Sequence, residues 1–174
     1  MLKPILENKE MKGIEKRKAI IELITTNELN VKDLAAESVD LDSKKQVILF
    51  EAVEAMTKEN PRRFDSTIVD FMNAYLSNES NPIKRETSRI IGNVAVAYPD
   101  NLEESIVLLI QNTTNPGTVV RWGSAYALSR ILLLPNYVNS SLYDTLKKLS
   151  DQEEENGVKK QYLNALKKAD KKRS

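Results

Sequence analysis

The chain has 174 residues, 41% hydrophobic and 29% charged, with 26 basic and 25 acidic side chains and a net charge of +1. This composition suits one folded domain with its own core, and the charge balance excludes a global field for nucleic acid or membrane surfaces. The absence of cysteine and histidine excludes disulfides, thiolate catalysis, cysteine-ligated metals and the usual general base near neutral pH.

Residues 1–13, bracketed by Pro4 and Gly13, show no clear period and read as a loose lead-in or a short turn. They also lack the apolar run of a secretory signal. A capping helix is expected within 14–30. Ala19, Ile20, Leu23 and Ile24 form its stripe, and Thr25-Thr26-Asn27 ends it. A short helix over 31–38 has Asn30 as its N-cap. The next, over 44–58, has Ser43 as its cap and Leu49, Ala52, Val53 and Met56 at helical spacing. Pro61 ends it.

A helix over 64–76 should bury Ile68, Phe71, Met72 and Tyr75. Residues 82–97 form the next, with Pro82 in its tolerated first turn. After a break at Tyr98-Pro99, helices are expected over 102–111 and 118–134, separated by a loop at 112–117. Asn139 or Ser140 caps a helix to about Leu149. An acidic loop over 151–157, a last helix over 158–169 and a frayed basic tail over 170–174 complete the chain. No stretch approaches the ~18 apolar residues of a membrane span, so a cytoplasmic location is expected.

Four of these helices repeat. Aligned at Lys45, Ile83, Val120 and Val158, they step by 38, 37 and 38 residues. One column then holds Leu49, Thr87, Ser124 and Tyr162. Three more hold Ala52, Ile90, Ala127, Ala165; Val53, Ile91, Leu128, Leu166; and Met56, Val94, Ile131, Ala169. A period of this length marks a solenoid, in which each helix pair buries its apolar face on its neighbours.

Val120-Arg121 opens one copy, and Ile83-Lys84 and Val158-Lys159 are conservative versions of it. Ile91-Gly92 supplies a Leu-Gly-like pair, while the first copy departs with Lys45-Gln46. Asn81 and Asn115 stand in the preceding loops. On these residues the chain resembles the HEAT-repeat family over about 31–169. The resemblance implies an all-α, armadillo-type fold. It would be a right-handed α-α superhelix of about four HEAT-like helix pairs plus an N-terminal capping helix, one domain over 1–174. It implies that first helices pave a convex side and second helices a concave side. It further implies that Lys84, Arg121 and Lys159 tie neighbouring repeats together.

No catalytic constellation is found, and Glu153-Glu154-Glu155 reads as a solvated loop rather than a metal site. The expectation is a non-enzymatic scaffold with no cofactor and no metal. Its partner-binding residues would be Arg85, Arg89, Trp122, Tyr126, Arg130 and Lys160, a basic and aromatic strip on the second helices. Trp122 has a second reading, as packing between repeats. The expected partner is another protein, without a membrane. The alternative is DNA binding, in the manner of the helical-repeat alkylation-repair proteins, although Tyr126 rather than Asp stands one turn beyond Trp122. A homodimer through Leu132-Leu133-Leu134 near Tyr137 is a third possibility. The basic tail reads as a nucleic-acid contact or a solubilising end. Replacing Trp122 and Arg89 together by Ala is expected to weaken partner binding while sparing the thermal midpoint.

Overall fold

The computed structural model describes residues 1–173; Ser174, the last residue of the expected tail, lies outside the described residues. Among these are eleven α-helices and no strand, so the chain is all-α. The helices are α1 (Leu2–Leu6), α2 (Gly13–Thr25), α3 (Val31–Ser38), α4 (Ser43–Glu59), α5 (Thr67–Leu76) and α6 (Asn81–Val94). They continue with α7 (Glu103–Asn112), α8 (Thr118–Leu132), α9 (Pro135–Val138), α10 (Leu142–Gln152) and α11 (Asn156–Asp170). No helix among the described residues is long and apolar enough to cross a membrane.

Local chemistry sets the helix ends. Thr25-Thr26-Asn27 does stop α2. Asn27 takes a left-handed conformation at φ 61°, and the Glu28 and Asn27 amides donate back to the Leu23 and Ile24 carbonyls. That satisfies carbonyls the helix end leaves open. The Asn30 side chain accepts from the Asp33 amide at 3.1 Å, and Asp33 accepts from the Asn30 amide in return. For α4 the cap is Asp42 rather than Ser43: its carboxylate accepts the Lys45 amide at 3.0 Å. That bond holds the Asp42 carboxyl below its ordinary pKa. Helix α5 starts at Thr67, not at residue 64. Asp65 takes up the Thr67 amide in a local turn, while Phe64 stays buried ahead of it.

Both ends of the chain differ from expectation. The lead-in contains α1, whose Leu2 and Leu6 are buried. Lys16 Nζ donates to the Leu6 carbonyl at 2.7 Å. One and a half turns are too short for a period to show. At the other end the residues before Ser174 are docked rather than frayed. Helix α11 runs through Asp170. Beyond it, Lys172 Nζ donates to the Leu133 carbonyl and Arg173 to the Val138 carbonyl at 2.9 Å. These cations meet the carbonyl ends of α8 and α9, where the helix dipole favours positive charge. The Arg173 guanidinium also lies 3.9 Å from the Tyr143 ring centre. Leu132 and Leu134 are buried and Leu133 partly so, which removes the apolar outer face expected there.

The helices form two layers. Helices α2, α4, α6, α8 and α11 are successive neighbours, and α3, α5 and α7 are neighbours behind them. Helices α5, α7 and α10 pack on α6, α8 and α11. The predicted columns fill the space between, and all but partly buried Met56 are buried. Each fully buried Leu, Ile or Val contributes about 1.5–3 kcal/mol relative to exposure. Phe71 and Tyr75, expected to be buried, are only partly so and pack edge-on to each other and to Phe50.

Hydrogen bonds between helices carry the same period. Ser38 and Tyr75 hydroxyls pair at a separation of 37 residues. The Asn112 amide reaches the Leu76 carbonyl across 36, and the Tyr137 hydroxyl reaches the Pro99 carbonyl across 38.

Helices α6 and α8 approach most closely. A Cβ on Gly92 would lie 3.0 Å from the Ala127 Cα, and one on Gly123 would lie 3.1 Å from the Arg85 carbonyl oxygen. Both neighbours are backbone, which cannot turn aside. Gly92→Ala is therefore expected to destabilise by about 1–2 kcal/mol, overpacking outweighing the gain in helix propensity. Gly157→Ala, at a site with nothing within 4 Å, is expected to be neutral or to stabilise by up to about 0.5 kcal/mol. Urea unfolding followed by circular dichroism measures both; equal effects at the two glycines would contradict the close-approach account.

Candidate functional site

The candidate residues lie on the layer formed by α4, α6, α8 and α11. Arg85, Glu86, Arg89 and Asn93 come from α6. Glu86 stands three residues after Ile83 and four before Ile90, and so shares their inward face. It is fully buried. Arg85 meets Glu86 through Nε and Nη2 at 2.7 and 2.6 Å. Arg89 meets Glu86 at 3.1 Å and Glu54 of α4 at 2.8 Å. Glu54 is itself buried. Asn93 donates to the Glu54 carbonyl and carboxylate at 3.2 and 3.3 Å.

This arrangement alters the basic strip expected from the sequence. Two arginine charges are matched by two buried carboxylates. Arg85 and Arg89 stand as ordered, partly exposed guanidinium planes rather than free cations. Glu86 was not among the candidates. The Arg-Glu-x-x-Arg spacing at 85–89, with the acid in phase with Ile83 and Ile90, is the signal that could have found it.

On α8, Trp122, Tyr126 and Arg130 follow one another at one-turn spacing. The Trp122 and Tyr126 rings stack at 5.6 Å with an interplanar angle of 20°. The Arg130 guanidinium lies 5.2 Å from the Tyr126 ring centre, and its Nε donates to the Gly92 carbonyl at 3.1 Å. The Tyr126 hydroxyl donates to Asn93 Oδ1 at 2.6 Å. Burial pushes its pKa up, so the donor stays protonated. The ridge is thus fixed to α6 at two points. Lys160 of α11 is exposed and has no ion-pair partner among the described residues. The structure brings Arg85, Arg89, Trp122, Tyr126 and Arg130 together and leaves Lys160 at the margin.

A groove of about 470 Å³ lies on one side of the ridge, lined by Arg85, Arg89, Thr118, Val119 and Trp122. A second, of about 210 Å³, lies on the other between α8 and α11. Tyr126, Ser129, Arg130, Gln161, Asn164 and Lys168 line it, with Leu133 and Ala165. No cluster of three or more Asp or Glu suited to a metal ion occurs among the described residues.

Arg121 reaches from α8 to residues of two loops. It bonds Glu153, across to the loop before α11, at 3.0 and 3.3 Å, and the Asn115 carbonyl at 3.0 Å. Glu153 is therefore a buried partner, its side chain 8% exposed, rather than part of a fully solvated loop. Lys84 and Lys159 form no such pair among the described residues.

No protein-family model and no curated protein matches the sequence. Among solved structures, the chain is similar to a crystal structure described as that of an engineered protein, with a TM-score of 0.73 and 18% identity. The match covers 98% of this chain and 78% of that one. At this identity the likeness is one of fold alone.

Two outcomes follow from the ion pairs. Arg89→Ala is expected to cost about 2–3 kcal/mol, because it strips a partner from two buried carboxylates. Lys160→Ala is expected to change stability by less than about 0.5 kcal/mol. Chemical denaturation of both variants tests this. The double replacement of Trp122 and Arg89 is thus a poor probe of binding, since Arg89 also holds the fold.

The second outcome concerns pH. Burial raises the Glu153 pKa, but hydrogen bonds from Arg121 and from the Glu155 and Glu154 amides outweigh it and leave the carboxyl below its ordinary value. A depressed carboxylate stabilises the fold at neutral pH and loses that contribution as pH falls through its folded-state pKa. Glu153→Gln should therefore lower the thermal midpoint at pH 7 and shrink the midpoint loss between pH 5 and pH 3. An unchanged acid limb would remove Glu153 from that role.

Proposed function

We propose that this protein is a non-enzymatic scaffold, built as a right-handed solenoid of HEAT-like helix pairs, that binds another protein on the face of α6, α8 and α11. The two layers and the 36- to 38-residue separation of cross-helix hydrogen bonds support the solenoid. In such a solenoid α4, α6, α8 and α11 are the second helices and line the concave side.

The observation that carries the binding role is the Trp122–Tyr126–Arg130 ridge. The single tryptophan of the chain is only partly buried, is held in place by a stacked tyrosine, and borders a groove of about 470 Å³. Ordered Trp, Tyr and Arg side chains are the usual anchors of protein interfaces, because they bury much area at small entropic cost. Pure packing of Trp122 between repeats predicts a different result on truncation.

A photo-crosslinking side chain at Val119, which is exposed and lines the groove beside Trp122, compared with one at exposed Val107 on the other layer, tests the reading in cells of the source organism. Protein adducts at 119 and none at 107 are expected. Trp122→Ala should abolish binding of the captured protein while shifting the thermal midpoint by no more than a few degrees. A large loss of stability would assign Trp122 to packing. Nucleic-acid adducts, with binding to DNA that falls steeply between low and moderate salt, would replace this reading by the DNA-binding one.

A further inference from the structure

The charges on the two sides of the ridge are not alike. On the α6 side, the charges of Arg85 and Arg89 are already paired with Glu86 and Glu54, and the one Arg89 donor left without a partner, Nε, is buried out of an incoming ligand's reach. That groove therefore makes little demand for an incoming anion. Its remaining walls are the Trp122 indole, the side chain of Val119, which is 42% exposed, and the threonine at its lip. Guanidinium planes pinned by buried acids add flat surface, on which apolar and aromatic groups stack well. This groove suits an apolar side chain.

On the α11 side the balance is reversed. Arg130 and Lys168 line the second groove, and no carboxylate does. Asn164 and Gln161 add neutral polar groups. Lys160, one turn before Asn164, and Lys167 are exposed on the same helix, and neither has an ion-pair partner among the described residues. Arg130 is held from behind by the Gly92 carbonyl and the Tyr126 ring. It is an oriented cation with no acid facing it.

We propose that the partner segment is acidic and carries an apolar anchor: a large apolar side chain enters the Trp122 groove, and a carboxylate one ridge away sits between Arg130 and Lys168. This inference rests on the reading of this face as a protein-docking surface and adds the chemistry of the occupant. It reassigns charge recognition from Arg85 and Arg89 to Arg130, Lys168 and the neighbouring Lys160. The attraction comes from exposed lysines and one anchored arginine, so salt should weaken it. The apolar part should persist.

A display library of random 12-residue peptides, selected on the full chain at low salt, tests the proposal. Two readouts matter: the composition of the selected peptides, and their affinity for Trp122→Ala and for the double variant Lys160→Glu with Lys168→Glu. Both lysines are exposed, so the double variant is expected to stay folded, as circular dichroism will check. The expected result is enrichment of Asp or Glu together with Leu, Phe or Trp at a fixed spacing. The double lysine variant should bind about tenfold more weakly or worse, and Trp122→Ala should bind hardly at all.

Peptides that need Trp122 but show no acidic bias, or bind the double lysine variant equally well, overturn the inference while leaving the docking surface standing. No selected peptide, or binding indifferent to Trp122→Ala, overturns both. Low-salt binding of labelled single-stranded or duplex DNA that the double lysine variant abolishes would assign the cations to phosphate and overturn the acidic-peptide proposal.

Discussion

The near contact of two helix backbones at Gly92 and Gly123 governs the middle of this molecule. Where a side chain would keep them apart, α6 and α8 come together until the Gly92 hydrogen nearly touches the Ala127 Cα. Everything on the adjoining surface inherits that spacing. Arg130 can reach the Gly92 carbonyl, and the Tyr126 hydroxyl can reach Asn93, only because their helix lies so close. The aromatic ridge is therefore rigid for a backbone reason. Its stacking geometry is set by the same contact that closes the core beneath it.

The second organising feature is the placement of acids beneath bases. Burying Glu54 and Glu86 is costly unless they are well bonded, and Arg85, Arg89 and Asn93 supply those bonds. The result is a neutral cluster with an ordered outer surface. On α8 and α11, Arg121 pairs with Glu153, but Arg130, Lys160, Lys167 and Lys168 have no such acids among the described residues, so the unmatched positive charge lies away from Arg85 and Arg89. A count of basic residues along the strip does not show this division; the burial of their partners does.

Much of the architecture was legible from periodicity. The four aligned columns are core columns, Asn30 caps its helix, and Thr25-Thr26-Asn27 ends another. The misses have specific causes. Helix α1 is too short to display a period. Asp42 and Ser43 are both good caps, and the longer carboxylate reached the amide. The tail read as frayed because its docking sites, the carbonyls of Leu133 and Val138, lie 35 to 39 residues away. In the candidate site, the residues brought together by one helix face were readable, including the ridge at 122, 126 and 130. The acid at Glu86 was hidden because a charged residue in an apolar phase looks like an interruption until its partners are known. Glu153 was read as solvated for a related reason: its partner, Arg121, is 32 residues away.

The named hydrogen bonds between helices join residues at most 39 positions apart, and the substantial contacts run only between neighbouring helices. Among the described residues, no substantial contact clasps the first helix to the last. In the proposed solenoid, stability is a sum of local couplings rather than one global closure. The outer helix pairs can open and reclose while the centre stays folded. Each has a neighbour on one side only, whereas α6 and α8 have neighbours on both. The slowest amide exchange should therefore lie in these two helices. The surface that carries the aromatic ridge would then be the last part of the molecule to come apart.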